Sequence, residues 1–124
     1  MQYLLLVYTV AELLDKLPPE EFNAEMRDCL RHSDELTRQG RLLGFQQLTP
    51  PATARSVRLR GGRTTVLDGP FAETKEMLAG FNLVEAASMV EAVRMAQELP
   101  WIRYGSVEVR QVGDIVAMRK RVGA

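Results

Sequence analysis

Residues 68–76 read Asp-Gly-Pro-Phe-Ala-Glu-Thr-Lys-Glu. Three carboxylates (Asp68, Glu73, Glu76), a lysine (Lys75) and a hydroxyl (Thr74) fall within this short run. Ionisable groups this dense are what acid–base chemistry requires, because one group takes a proton while a neighbour in a different environment returns it. The same run also has a plain structural reading. Asp-Gly-Pro is turn chemistry, and Asp68 is placed to cap a short helix beginning at Pro70. That reading accounts for Asp68, Gly69 and Pro70, and leaves Glu73, Thr74, Lys75 and Glu76 as a solvated helical turn. Residue types alone leave both readings open.

Other candidates are weaker. His32 has Asp28 four residues before it and Glu35 three after it, which suits a solvated helix surface better than a general base. Cys29 shares the apolar phase of the same helix and reads as a small buried hydrophobe rather than a nucleophile. One histidine and one cysteine offer no zinc spacing, so no metal and no cofactor is expected. Nucleophile elbows, P-loops and dinucleotide glycine patterns are absent from the sequence. Arg55, Arg58, Arg60 and Arg63 cluster, but thirteen of the sixteen basic residues are arginine, so four together say little about phosphate.

The elements that must carry these residues follow from periodicity. Residues 2–8 form an almost continuous apolar run, the pattern of a central strand covered on both faces. Pro18-Pro19-Glu20-Glu21 opens a helix, Phe22, Met26, Cys29, Ser33 and Leu36 make its apolar face, and Gly40 ends it. A strand over 42–48 is closed by Pro50-Pro51. Arg55 to Asp68 is a β-hairpin about Gly61-Gly62, whose register sets Arg60 opposite Arg63 and Arg55 opposite Asp68. A strand over 80–85 precedes a capping box at Ser88–Glu91. Met89, Ala92, Val93, Ala96 and Leu99 then form the stripe of a second helix, ended by Pro100. Ser106 to Val112 is a last strand, with Val107 and Val109 inward and Glu108 and Arg110 outward. Residues 113–124 form either a short helix or a loose tail.

The order is α+β, a ferredoxin-like βαββαβ unit with an inserted hairpin, in one domain over 1–112 with a C-terminal extension over 113–124. Both helices then cover one face of the sheet, and a homodimer packed through the open sheet face would cover the other. Sixteen basic and sixteen acidic side chains cancel, so no net field draws the chain to nucleic acid or anionic lipid. No apolar run approaches the ~20 residues of a membrane helix. Met1 to Tyr8 lacks a basic segment and a cleavage site and is not a signal peptide. A single cysteine fits a reducing compartment.

The run DGPFAETKE at 68–76 resembles the signature of the DGPF group within the YCII-related superfamily. The flanking residues Leu48 to Ala54, Gly80 to Leu83 and Gly105 to Arg110 agree with it, and the likeness spans residues 1–112. Arg110-Gln111-Val112 departs from the usual Arg-Pro-Val ending, which alters only a strand end. The resemblance implies a ferredoxin-like domain pairing into a dimeric α+β barrel in the bacterial cytoplasm, often encoded beside extracytoplasmic-function sigma factors. It further implies a small-molecule enzyme, an isomerase or lyase moving a proton without cofactor. The motif aspartate, Asp68, then acts as acid or base. Arg55, Pro70, Phe71, Glu73, Lys75, Glu76, Glu108 and Arg110 would shape the ligand site. A histidine–aspartate pair is proposed in the wider superfamily, but His32 has the wrong helical phase for it. Two other readings stand beside this one. The motif is the lip of a non-catalytic ligand- or partner-binding dimer, linked to sigma-factor regulation, or it builds the dimer through Phe71 and Lys75.

Overall fold

The computed structural model of the chain describes residues 1–70 and 75–124. Strand β1 (Gln2–Val10) lies inside an antiparallel four-stranded sheet with β2 (Leu42–Gln47), β5 (Glu76–Glu85) and β6 (Gly105–Gln111), in the order β2-β5-β1-β6. A separate two-stranded sheet is the hairpin of β3 (Arg55–Arg60) and β4 (Arg63–Asp68). Helix α1 (Ala11–Asp15) follows β1, α2 (Pro19–Arg38) precedes β2, α3 (Met89–Gln97) precedes β6, and α4 (Ile115–Val122) comes last. No helix among the described residues is long and apolar enough to cross a membrane.

Alternation along β1 sorts the two faces of the sheet. Tyr3, Leu5 and Val7 are buried, and they pack in one core with Leu36 of α2 and with Ala92, Met95, Ala96 and Leu99 in and after α3. Both long helices therefore cover the same face. The α2 stripe points as its spacing predicts: Ser33 and Leu36 are buried, and Phe22, Met26 and Cys29 are half-buried. Pro19 occupies its first turn beside Glu20 and Glu21, and Arg41 closes it by donating its amide to the Leu36 carbonyl at 2.9 Å. The capping box also forms. Ser88 Oγ accepts from the Glu91 amide at 3.3 Å, and Glu91 Oε2 accepts from the Ala87 amide at 2.7 Å.

The hairpin has the register that its turn dictates, Arg60 opposite Arg63 and Arg55 opposite Asp68. Both turn residues, Gly61 (φ +56°) and Gly62 (φ +77°), occupy the left-handed region where only glycine sits without strain.

Three details depart from the sequence reading, and a fourth settles one of its alternatives. Strand β5 begins at Glu76 rather than Gly80, because Glu76, Met77 and Leu78 pair with Val10, Thr9 and Tyr8. Val7 pairs with Gly80 and Tyr8 with Leu78, leaving Ala79 as the extra residue of a β-bulge. That bulge breaks the alternation by which a strand is recognised. Helix α1 was not expected; it is a short turn after β1, with Leu17 donating to the Leu14 carbonyl at 3.0 Å. On α3, Met95 takes the buried place, and Met89 and Val93 stay exposed. Val93 lies one residue, about 100° of helix, from Ala92 and so points away from the sheet. Residues 115–122 are a helix rather than a loose tail. Asp114 caps it by accepting from the Ala117 amide at 2.9 Å, and none of its residues is buried.

Candidate functional site

The uncovered face of the sheet carries the side chains of opposite parity. From β1 these are Leu4, Leu6 and Tyr8, which the register sets beside Leu83, Phe81 and Leu78 of β5. On the other side Leu4 pairs with Arg110, Leu6 with Glu108 and Tyr8 with Ser106 of β6. The middle of this face is apolar and half-exposed, and its β6 edge is polar.

At one end of the face the polar groups meet. Ser106 Oγ donates to Glu76 Oε2 at 2.8 Å, reaching across β1. The Tyr8 hydroxyl donates to Glu108 Oε1 at 3.4 Å, and Arg110 Nη1 lies 3.6 Å from Glu108 Oε2. Tyr8, Glu76, Ser106, Val107 and Glu108 together line one open hollow. Two carboxylates from different strands thus flank a phenol and a hydroxyl. This inventory can accept, hold and return a proton. The sequence reading selected Glu76, Glu108 and Arg110 but missed Tyr8 and Ser106. Their signal was parity: Ser106, Glu108 and Arg110 recur at every second residue, as do Leu4, Leu6 and Tyr8.

The remaining selected residues are placed elsewhere. Arg55 Nε and Asp68 Oδ1 lie 3.1 Å apart at the open end of the hairpin, with the Asp68 side chain 89% exposed. Arg55 also donates to the carbonyl of Ala54 at 2.9 Å, and Ser56 Oγ donates to the carbonyl of Gly69 at 2.7 Å, which fastens the chain just after Asp68. The single chain therefore brings Asp68 to Arg55 and to the surface. Pro70 is half-buried and Lys75 exposed. Phe71 and Glu73, and the helix expected to begin at Pro70, lie outside the described residues.

A model of the YCII-related domain matches residues 1–116. The chain belongs to that family. It is 38% identical over 112 residues to an uncharacterised protein of Rhizobium meliloti (strain 1021), covering 89% of this chain and 90% of that one. Among solved structures it is similar to the 5-chloro-2-hydroxyhydroquinone dehydrochlorinase of Burkholderia phenoliruptrix AC1100, in complex with 2,5-dihydroxybenzoquinone. That likeness has 13% identity and a TM-score of 0.47, over 91% of this chain and 94% of the other.

In this YCII-related chain the lone histidine has a different acidic partner from those adjacent in sequence. His32 Nε2 lies 3.2 Å from Glu98 Oε2, at the C-terminal end of α3, and the pair is half-exposed. Asp28 lies instead by Arg31 at 4.0 Å, and Glu35 is bound by Arg38 and Gln39. Those bonds from Arg38 and Gln39 hold the Glu35 carboxyl below its ordinary range. Helix spacing puts Asp28 and Glu35 within reach of His32, and the packing of α3 beside α2 adds Glu98 and selects it. Among the described residues no group of three His, Cys, Asp or Glu side chains is arranged to hold a metal ion.

Proposed function

We propose that this YCII-related protein, of the DGPF group, is an enzyme that moves a proton on a small molecule without a cofactor, as an isomerase or lyase does. The reading rests above all on Glu76 and Glu108, which flank Tyr8 on an otherwise apolar sheet face. In the reaction one carboxylate removes a proton from a carbon beside a carbonyl, and the electron pair moves to the carbonyl oxygen as an enolate. The Tyr8 hydroxyl or the second carboxyl group then returns a proton at another carbon. Ser106 fixes the Glu76 carboxylate, and Arg110 holds Glu108 and attracts an anionic substrate. Asp68 acts in the same segment, eight residues before Glu76, with its carboxylate oriented by Arg55.

The strand order β2-β5-β1-β6 with both long helices on one face supports a ferredoxin-like unit. Its open face carries Leu4, Leu6, Phe81 and Leu83, and apolar area of that kind supports a homodimer closed sheet to sheet. Closure removes water from around the two carboxylates, as proton transfer from carbon demands. The cytoplasm is the proposed compartment, where the single cysteine stays reduced.

The test is hydrogen–deuterium exchange at carbon, followed by NMR in deuterated buffer, over a panel of small ketones, lactones and hydroxyquinones. The expected result is catalysed exchange in at least one compound, lost in Glu76→Gln with the fold intact. Saturable binding without exchange in any compound would favour the non-catalytic reading, which the surface position of Asp68 supports.

A further inference from the structure

We infer that α4 is an arm by which one chain grips a second copy, lying on the acidic surface that α1 and the first turn of α2 present there. The inference rests on the sheet-to-sheet dimer proposed above and names the contact that orients it. Helix α4 is closed at both ends. Asp114 caps its start, and Gly123 in the left-handed region ends it, with the Ala124 amide donating to the Arg119 carbonyl at 3.0 Å. Yet none of its eight residues is buried. A helix this short is unstable alone in water, where even ~12–15 residues are marginal, so packing must supply the rest. Ile115, Met118 and Val122 recur at spacings of three and four and form one apolar stripe. They are 66%, 44% and 61% exposed, so their own chain leaves the stripe open.

Charge identifies the occupant. Arg119, Lys120 and Arg121 follow one another on α4, and no acid occurs from Ile115 to Ala124. Within residues 11–21, Glu12, Asp15, Glu20 and Glu21 are balanced only by Lys16. All four acids are exposed, and so is Leu13 between the first two. No ion pair joins these acids or the three α4 bases to another described residue. The two surfaces stand at opposite ends of the sheet. Val112, just before α4, donates its amide to the Gln2 carbonyl at the start of β1, whereas α1 begins where β1 ends. The nine residues of β1 span about 30 Å. In a sheet-to-sheet dimer the twofold axis lies between the faces and runs either along the strands or across them. Along them, α4 meets α4 and like charges oppose. Across them, the strands of the two copies run in opposite directions, and each α4 comes to the α1 end of the other chain. The contact is then made twice, with opposite charges each time, and charges so arranged fix the register of an interface. The chain carries both halves of the match itself, which makes a second copy the occupant.

Sedimentation equilibrium of the full chain, at low and at high salt, reads the dimer directly. The expected result is a dimer that weakens as salt rises. Two variants reverse one side each: Arg119→Glu with Lys120→Glu and Arg121→Glu, and Glu12→Lys with Asp15→Lys. All five positions are exposed, and circular dichroism checks that both variants fold. Each alone should dimerise about tenfold or more weakly, because like charges then oppose across the contact. Mixed in equal amounts, the two should form a heterodimer close to native affinity, since both of its contacts regain opposite charges. Native affinity in either folded variant alone overturns the inference, as does a mixture no tighter than its parts. Phosphatidylglycerol vesicles that retain the native chain, with its dimer unchanged by the α4 reversal, would give α4 to a lipid surface and likewise overturn it. A native chain that stays monomeric at millimolar concentration removes the sheet-to-sheet dimer as well. Activity is read separately, by exchange at carbon, so the arm, the dimer and the proposed reaction fail distinguishably.

Discussion

Ser106 on β6 donates its hydroxyl to the Glu76 carboxylate on β5 at 2.8 Å, spanning the strand between them. The two residues are thirty positions apart in the chain, and only the sheet order brings them together. This bond ties the last residue of the 68–76 run to the edge strand of the open face. It turns Glu76 from a loop carboxylate into one held at a fixed place beside Tyr8 and Glu108.

If that carboxylate is the proton acceptor, Glu76→Gln should lower the exchange rate about a hundredfold or more, within the range of acid–base contributions. Ser106→Ala removes one bond that orients the carboxylate. It should cost no more than about tenfold, as expected for one hydrogen bond of ~1 kcal/mol. Steady-state exchange rates for the two variants, with circular dichroism to confirm the fold, provide the comparison. Equal losses would mean that Ser106 does more than orient.

Arg55 and Asp68 form an exposed ion pair, with side chains 57% and 89% accessible. Such pairs contribute about 0–1 kcal/mol and weaken in salt. Asp68→Asn should therefore leave the melting temperature nearly unchanged, so that any fall in activity reports on function rather than folding. Full activity in this variant would remove Asp68 from the reaction.

Gly105 starts β6 where that strand meets the end of β1. A Cβ built on it would lie 1.9 Å from the Tyr8 carbonyl oxygen and 2.8 Å from the Thr9 Cα, both backbone atoms that cannot step aside. Gly105→Ala should destabilise the protein by about 3 kcal/mol or more, the upper range of overpacking. The β1–β6 pairing should loosen first, since Thr9 pairs with Gly105. Urea unfolding, with amide exchange along β6, measures both effects.

Tyr104 is half-buried, and its hydroxyl donates to Glu25 Oε1 at 3.0 Å, the oxygen that also accepts from Arg103 at 2.8 Å. Burial and then the bond and charge of Glu25 push the phenol above its ordinary value. A group with a raised folded pKa adds stability that is complete below the unfolded value, about 10 for tyrosine. That stability is lost as pH rises through the folded value. Alkaline titration of phenolate absorbance should show one tyrosine ionising late in the native protein, and Tyr104→Phe should remove that late transition.

Much of the architecture follows from local rules that sequence obeys. The α2 stripe from Phe22 to Leu36, the capping box at Ser88 and Glu91, and the hairpin register about Gly61-Gly62 each depend on residues within one or two turns of each other. Such patterns survive in any fold that contains the element. The candidate site was half legible for the same reason. Glu108 and Arg110 alternate with Val107 and Val109, so their facing could be read directly, and Glu76 was visible by its company.

What tertiary structure alone decided depends on distant pairing. The bulge at Ala79 shifted the parity of β5 and extended it back to Glu76, because pairing with Val10 outweighs the mixed local pattern of residues 75–79. His32 turned to Glu98 rather than to Asp28 or Glu35, because α2 and α3 pack on one sheet face and bring their surfaces together. Sequence determined which elements form and which way each faces; the pairing of strands far apart in the chain decided which side chains share a site.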